Sequence, residues 1–293
     1  MKTTRLALTI LAVWLTCACS GGEGPSETTM LESRAARISK ALADSTSKAD
    51  ADKPIARWNL PPELAEISGL ALTPDQRLFA HNDESGRISE IDYRRGTIVK
   101  HFIVAETGDF EGLTYAGDHF ILLTSNGVLF EFTEGKNGER VDCTTLDLQL
   151  GKECEFEGVT YDANTNSLVL ACKNPGDKKL EDAIVLYRYP LSGGDEAKPT
   201  MQAIPLADLK ENTWKKLRPT DITVDPSSGN YVLVSAQERA LLEITPAGEA
   251  VVVRSLGDRH PQAEGVAVTR DHILIISDEA SSTAATLTLY RWP

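Results

Sequence analysis

Residues Asp109–Ala116 read DFEGLTYA, and residues Glu155–Asp162 read EFEGVTYD. Each copy places two acids ahead of a glycine and then continues as a short apolar strand. Three further segments align on the same acid–glycine position: EISGLAL from Glu66, PTDITV from Pro219 and QAEGVAV from Gln262. A motif that returns five times along one chain predicts a repeat architecture.

Each copy continues with a polar turn, a second apolar strand and a third strand, and most copies add a fourth. The aligned positions are Ser68, Glu111, Glu157, Asp221 and Glu264, which lie 43, 46, 64 and 43 residues apart by subtraction. Four short strands in about 45 residues is the period of a β-propeller blade. A β-sandwich also uses short strands but is not self-similar at this length. We therefore predict an all-β fold, a five-bladed β-propeller over residues 54–293.

The last repeat ends at LTLYRWP and lacks a fourth strand, whereas PIARWNLP, from Pro54, has no repeat of its own. We expect this N-terminal strand to complete the last blade and close the ring. The long third interval holds PGDKKLED (175–182) and PLADLKENTWKKLRP (205–219), which we interpret as insertions. A sixth, degenerate blade stays an alternative.

The N-terminus has the features of an export signal. Lys2 and Arg5 precede an apolar run that is too short to span a bilayer, and small residues follow it. LTCAC (15–19) is typical of a bacterial lipobox, so we predict a signal peptide over residues 1–18 and lipidation of Cys19. A plain signal peptide and a soluble periplasmic product are the alternative. Residues 19–53 are polar and are expected to form a flexible, partly helical tether, with Leu31, Ile38 and Leu42 able to share one helix face.

Charge and targeting together limit the partners of this chain. Its formal net charge is −13 and it has no basic stripe, so nucleic acid is not an expected partner. Anionic lipid would not attract such a surface, and membrane association should come from the acyl chains on Cys19. Ser20 follows the cysteine, as in outer-membrane sorting signals. We expect an outer-membrane lipoprotein of the bacterial cell envelope, facing the periplasm.

The first strand of each propeller blade lines the central channel, so the repeated acids should form a ring. Crowded carboxylates repel one another, and a hard divalent cation with oxygen ligands relieves that repulsion. We predict Ca²⁺ at the channel mouth, held by some of Glu111, Glu157, Asp221 and Glu264. Alternatively, the acids accept hydrogen bonds from neighbouring blades and brace the ring.

A second set of polar residues follows the second strand of each repeat. Strand topology predicts that these residues share a face with the acid ring and could bind a small molecule or a protein there: Asp83, Asn126, Lys173, Glu238 and Asp278. A salt bridge is the expected role of Lys173. The outer acids Glu66, Asp109 and Glu155 are expected to be solvated loop residues.

Three cysteines lie in the predicted propeller. Cys154 precedes one strand and Cys172 ends the next, so a hairpin between them would place the two sulfurs together. In an exported protein this predicts a Cys154–Cys172 disulfide, with Cys143 buried and free. No cysteine or histidine spacing indicates zinc.

The motifs ELAEISGLAL, FAHNDESG, GDFEGLTY, CEFEGVTY and ISDEA resemble those of the SdiA-regulated family of bacterial exported proteins, from about Leu60 to Pro293. The resemblance implies a five-bladed propeller, distantly similar to NHL-repeat propellers, with a bound Ca²⁺. PTDITV departs from the pattern because it lacks the glycine, which makes Asp221 the least secure ligand. The resemblance implies no particular activity.

The sequence is compatible with two functional classes. The first is a lipid-anchored binding or scaffold protein whose ring is stabilised by Ca²⁺. The second is a Ca²⁺-dependent hydrolase acting on an ester, lactone or phosphoester, for which the sequence offers Asp83, Glu238, Asp278, His81 and His260 as bases. No nucleophile elbow is present in the sequence.

Overall fold

The computed structural model describes residues 26–44, 53–210 and 212–293. Its strands form five antiparallel sheets of four strands each, arranged as a five-bladed β-propeller. One strand, β1 (Pro54–Asn59), precedes the first blade. Blade 1 contains β2 (Ile67–Leu72), β3 (Leu78–Asn82), β4 (Arg87–Asp92) and β5 (Thr97–Ile103). Blade 2 contains β6 (Phe110–Ala116), β7 (His119–Thr124), β8 (Val128–Phe132) and β9 (Cys143–Asp147).

The remaining three blades follow in chain order. Blade 3 contains β10 (Cys154–Asp162), β11 (Ser167–Pro175), β12 (Ala183–Pro190) and β13 (Thr200–Pro205). Blade 4 contains β14 (Asp221–Val224), β15 (Tyr231–Ser235), β16 (Ala240–Ile244) and β17 (Ala250–Ser255). Blade 5 contains β18 (Ala263–Val268), β19 (Ile273–Asp278) and β20 (Thr286–Arg291). Single 3-10 turns span Pro62–Leu64, Lys178–Leu180, Gly194–Glu196, Leu206–Asp208 and Gly257–Arg259.

The ring closes by strand pairing between the two ends of the propeller. Strand β1 pairs antiparallel with β20, so that Arg57 lies opposite Thr288 and Asn59 opposite Thr286. The sheet order of blade 5 is β1-β20-β19-β18. The predictions of five blades and of an N-terminal closing strand are therefore both confirmed. The long third interval holds insertions, and no sixth blade occurs in the described part of the chain.

The apolar core is divided among the five interfaces between neighbouring blades. Each buried cluster draws its side chains from two adjacent blades, and the cluster between blades 1 and 2 is rich in phenylalanine. There Phe120 stacks on Phe132 with ring centroids 5.6 Å apart and meets Phe79 edge-on at 4.8 Å. Because a blade's second strand packs against a blade on each side, strands such as β15 and β19 are buried at every position.

Blade 3 extends beyond the others on the face where its first strand begins. Strands β10 and β11 are nine residues long, and both insertions leave the sheet on this face. Cys154 and Cys172 form a disulfide across this hairpin, with Cα atoms 5.8 Å apart. Cys143 is a free thiol at the start of β9, but it is partly exposed and not buried as predicted, because β9 is the outer strand of its blade. The disulfide holds the two strands together beside the channel mouth.

A helix, α1 (Glu27–Asp44), lies within the segment predicted to be a flexible tether. The Ser26 hydroxyl caps its first turn by accepting from the Thr29 amide. Ile38 is only 1% exposed and packs into the cluster between blades 5 and 1. Arg34 stacks on the Trp58 ring at 5.0 Å and donates to the Arg95 carbonyl at 2.8 Å. Part of this segment is therefore docked on the propeller.

Several sequence predictions concern residues for which no structure is described. The signal peptide, Cys19 and the side chain of Leu42 lie outside the described residues, whereas Leu31 is half-buried on α1. No helix in the described part of the chain has the length and apolar character needed to cross a bilayer. Lipidation and envelope location thus stay predictions from the sequence.

Candidate functional site

A β-bulge lies at the aligned repeat position in four of the five blades. The pairing register of the inner hairpin shifts between Ile67 and Gly69 in blade 1 and between Phe110 and Gly112 in blade 2. The pairing register of blades 3 and 5 shifts at the corresponding places, before Gly158 and Gly265. A bulge leaves one residue outside the ladder and re-aims its side chain. The residues so released are Ser68, Glu111, Glu157 and Glu264.

The glycines after the bulges of blades 2 and 3 are required by close packing around the channel. A Cβ atom on Gly112 would lie 2.7 Å from the backbone nitrogen of Val159 in the next blade. A Cβ on Gly158 would lie 2.8 Å from the Cα of Asp221. Because both obstacles are backbone atoms, no side-chain rotation can relieve the clash. In blades 2 and 3 the acid–glycine motif therefore combines an inward-facing acid with a close blade-to-blade contact.

The released acids meet in a cavity of about 200 Å³ at one end of the channel. We call it the mouth cavity. Its lining residues are Glu66, Ile67, Ser68, Asp83, Glu111, Glu157, Lys173, Gln262, Glu264 and Glu279. Six carboxyl groups face a single ammonium group there, so full ionisation would give a formal charge of −5. The charge of the lining therefore favours cations over anions in this cavity.

The buried acids of the mouth cavity hold their protons unusually well. Burial, followed by the charges of Glu157 and Asp109, raises the pKa of Glu111 to about 9. Burial and the charge of Glu157 raise the pKa of Glu264 to about 8. Repulsion between like charges in one cavity favours either protonation or a bound cation.

Lys173 forms an ion pair with Glu157 inside the mouth cavity. Its Nζ lies 2.6 Å from Glu157 Oε1, and the two side chains are 29% and 7% exposed respectively. Burial raises the pKa of Glu157, and Lys173 opposes that effect. Burial disfavours the charged form of Lys173, but the carboxylates of Glu157, Glu264 and Glu111 outweigh it and raise the lysine pKa.

Asp221 does not line the mouth cavity, contrary to its grouping with the three glutamates. Its register partner is Val234, and the hairpin of blade 4 has no bulge. Counted from the turn, Asp221 occupies the place of Gly265 in blade 5, and Thr220 occupies the place of Glu264. In blade 4 the structural alignment is therefore shifted by one residue from the sequence alignment, which matched Asp221 with the glutamates.

The carboxylate of Asp221 instead braces the ring. It is fully buried and accepts from the amides of Val266 at 2.8 Å, Ile222 at 2.8 Å and Leu70 at 3.4 Å. These donors belong to blades 5, 4 and 1. Burial raises the pKa of Asp221 well above its usual value despite these three hydrogen bonds. The bracing alternative thus describes Asp221, while the three glutamates face the cavity.

Of the five predicted ligand-face residues, Asp83 and Lys173 line the mouth cavity and three do not. Asn126 is exposed and accepts from the Thr124 hydroxyl in its own turn. Glu238 accepts from the Arg218 side chain and from the Ser235 hydroxyl. These interactions are local and hold the loops of the face.

Asp278 is buried in a hydrogen-bonded chain with two other side chains. Its Oδ2 lies 2.7 Å from His260 Nδ1, and His260 Nε2 lies 2.6 Å from the Tyr290 hydroxyl. All three residues are at most 3% exposed. His81 is likewise buried, and burial lowers its pKa to about 4. The predicted bases His81, His260 and Asp278 therefore lie inside blades, away from the cavity lining.

Glu66, which was predicted to be a solvated loop residue, belongs to the cavity, together with Glu279, for which no role was predicted. Glu66 and Glu279 lie at its rim, and a hydrogen bond between them raises the pKa of Glu66. Glu279 also accepts from the Gln262 side-chain amide at 3.3 Å. The other outer acids stay outside: Asp109 accepts from the Ser125 hydroxyl, and Glu155 accepts from Asn174 at 2.8 Å. The packing of blade 1 against blade 5 brings Glu66 and Glu279 together, which no local motif signals.

The donor set of the mouth cavity fits a hard divalent cation. All its acidic ligands are oxygen donors, the ligand type that Ca²⁺ prefers, and their charge exceeds that of the single ammonium. Within the residues that the structure describes, no three acidic, histidine or cysteine side chains already converge as a cage. One of the carboxylates, that of Glu157, is bound instead to the ammonium of Lys173.

Comparison with solved structures identifies the architecture. Glutaminyl cyclase from Myxococcus xanthus aligns with a TM-score of 0.55 at 16% identity over 80% of this chain and 94% of the other. A PQQ-bound aldose sugar dehydrogenase from Streptomyces coelicolor aligns with a TM-score of 0.49 at 11% identity over 80% of this chain and 98% of the other. At 16% identity, the likeness to glutaminyl cyclase shows a shared fold alone.

Sequence comparison supplies the family. No curated protein matches the chain significantly. The model of the SdiA-regulated family matches residues 44–282, which is most of the chain and includes all four bulged repeats. This chain therefore belongs to the SdiA-regulated family.

Proposed function

We propose that this protein is a lipid-anchored β-propeller of the bacterial cell envelope that binds Ca²⁺ in the mouth cavity and serves as a binding or scaffold protein. One observation carries the cation site. Six carboxyl groups line a cavity of about 200 Å³ with one ammonium group, and burial together with mutual repulsion raises the pKa of Glu111 and Glu264.

Glu111, Glu157 and Glu264 would hold the cation. They project from equivalent bulges in blades 2, 3 and 5, so a cation between them would link three blades across the channel. Bound Ca²⁺ would supply positive charge at the point where the acids repel one another. The rim acids Glu66, Asp83 and Glu279 would remain for a protein or small-molecule ligand.

The envelope location is supported by the sequence before the propeller and by the cysteines. Residues 1–18 have the features of a signal peptide and Cys19 lies in a lipobox. The Cys154–Cys172 disulfide suits an oxidising compartment such as the periplasm. Mass spectrometry of the mature protein tests the anchor: a diacyl or triacyl modification on Cys19 is expected, and a free N-terminus elsewhere would contradict it.

Calorimetric titration with Ca²⁺ tests the cation site, using residues 20–293 so that helix α1 is retained. We expect saturable binding by the wild type and loss of binding in Glu111→Gln/Glu157→Gln. Glu155→Gln is the matched control, because Glu155 lies two residues from Glu157 on the same strand but outside the cavity. A folded wild type that shows no heat of Ca²⁺ binding would refute the site.

A Ca²⁺-dependent hydrolase is the second candidate, favoured by the spare carboxylates at the rim. Glu66, Asp83 and Glu279 lie in the same cavity as the three proposed ligands and would be placed to accept a proton from a bound water. The test is turnover of ester, lactone and phosphoester panels with Ca²⁺. Activity that EGTA abolishes and that Glu279→Gln reduces would support the enzyme; absence of turnover by Ca²⁺-loaded protein would leave the scaffold role.

A further inference from the structure

The mouth cavity contains a positive charge where two other blades place a negative one. Lys173 lies two residues after Ala171, which pairs with the inner-strand glycine of blade 3. The corresponding residues are Asp83 in blade 1 and Glu279 in blade 5, and both of these also line the cavity. Blade 3 therefore departs from the repeat by placing an ammonium group among the acids.

The ammonium of Lys173 is bound to Glu157, one of the proposed ligands of the cation. Nζ lies 2.6 Å from Glu157 Oε1, and the charges of Glu264 and Glu111 also act on it. A cation bound to the same carboxylate would face a like charge at contact distance. The two cannot share Glu157 without strong repulsion.

We infer that Lys173 is a built-in competitor for the cation, so that Ca²⁺ binds only by displacing the ammonium from Glu157. This inference rests on the proposed function, because it concerns the affinity of the same site. A monovalent ion that displaces Lys173 from Glu157 replaces one positive charge by another of equal size. A divalent cation brings twice the charge to the carboxylates, and Lys173 therefore selects divalent over monovalent ions.

The displaced side chain can turn outward. Lys173 also borders an adjoining cavity of about 130 Å³, but Glu181 there already pairs with Lys216, so the displaced ammonium would turn to solvent. The lysine side chain is flexible, and that of Lys173 is 29% exposed. Its backbone is held meanwhile, because the Cys154–Cys172 disulfide joins the hairpin that carries both Glu157 and Lys173. The side chain can thus leave Glu157 while its strand stays fixed.

Calorimetric Ca²⁺ titration of residues 20–293 tests the competition with three variants. Lys173→Met should bind Ca²⁺ at least about tenfold more tightly than the wild type, because a like charge leaves the site. Lys173→Arg retains the charge and should not bind more tightly. Lys216→Met is the matched control, since Lys216 borders the adjoining cavity but not the mouth cavity and pairs with Glu181. Its affinity should equal that of the wild type.

The outcomes separate this inference from the proposed function. Wild-type binding with equal or weaker binding by Lys173→Met would overturn the competition and leave the cation site intact. Binding by neither protein would overturn both. Binding by Lys173→Met alone would support the competition and refute Ca²⁺ binding by the natural protein.

A second readout covers the case in which Lys173→Met fails to fold. Amine acetylation of the wild type, followed by peptide mass spectrometry, measures the accessibility of Lys173 directly. Labelling should rise on addition of CaCl₂, while labelling of Lys216 stays constant. If calorimetry shows that Ca²⁺ binds and Lys173 labelling does not change, the ammonium is not displaced and the inference is wrong.

Discussion

Two acids that the repeat pattern treats alike have opposite roles at the scale of single residues. Glu111 projects from a bulge into the mouth cavity, whereas Asp221 lies in a regular ladder and binds backbone amides of three blades. The side-chain chemistry is nearly the same in both. The difference comes from one extra residue in the strand, which decides whether the carboxylate faces solvent-filled space or amide donors.

Replacing these two acids should separate stability from binding. Asp221→Ala leaves the amides of Val266 and Leu70 without partners and should lower the free energy of unfolding by about 2–4 kcal/mol, with Ca²⁺ affinity little changed in the folded protein. Denaturant unfolding and calorimetry measure the two quantities. Glu111→Ala should show the reverse: weaker Ca²⁺ binding and no loss of stability without Ca²⁺. Equal effects from the two changes would contradict the division of roles.

At the scale of elements, helix α1 acts as part of the propeller. Ile38 fills the cluster between the first and last blades, next to the closing strand β1. The side chain of Arg291, at the end of β20, donates to the Ala41 carbonyl at 2.7 Å. The helix therefore contacts both partners of the pairing that closes the ring. A domain cut at residue 54 would lose these contacts.

Ile38→Asp tests the docking of α1. A buried unpaired charge is costly, and undocking of the helix limits that cost, so we expect a thermal midpoint several degrees lower, close to that of residues 54–293 alone. Ser39→Asp places the same charge on an exposed position of the same helix and should leave the midpoint unchanged. Limited proteolysis should cut within 26–44 in the Ile38 variant only. Equal midpoints for wild type and Ile38→Asp would show that the helix adds no stability.

For the whole molecule, the mouth cavity should make stability depend on pH. The folded protein raises the pKa of Glu111 to about 9 and of Glu264 to about 8, from an ordinary value of 4.5. Between the ordinary pKa of 4.5 and these raised values, the folded state binds more protons than the unfolded chain. The contribution of Glu111 and Glu264 to the free energy of unfolding is therefore complete below about pH 4.5 and is lost as pH rises through about 8 to 9.

Denaturant unfolding at pH 5, 7 and 9 in EGTA measures this dependence. We expect the free energy of unfolding to fall with rising pH, and saturating CaCl₂ to reduce the slope because the cation replaces protons. Glu111→Gln/Glu264→Gln removes the two titrating groups and should flatten the profile in EGTA. A wild-type profile that rises toward pH 9, or one unaffected by the double change, would show that these acids are not held protonated by the fold.

Much of the architecture was predictable because it depends on local patterns that recur. Strand length, turn composition and the 43- to 46-residue spacing are properties of single repeats, and five such repeats have one compact arrangement. The unpaired strand at residues 54–59 and the incomplete last repeat together predicted the closure between β1 and β20. The inward position of Glu111, Glu157 and Glu264 followed from the same repeat, because each acid precedes a glycine that must touch the next blade.

Tertiary structure alone decided which further residues join the site. A bulge depends on the partner strand, so the sequence aligned Asp221 with the acids although its pairing places it with the glycines. Glu66 and Glu279 meet because blades 1 and 5 adjoin. A salt bridge on this face was the expected role of Lys173, but only the register of one hairpin decides that its partner is Glu157. The repeat therefore determined the ring and its acidic mouth, whereas contacts between residues far apart in the chain determined the charge balance within it.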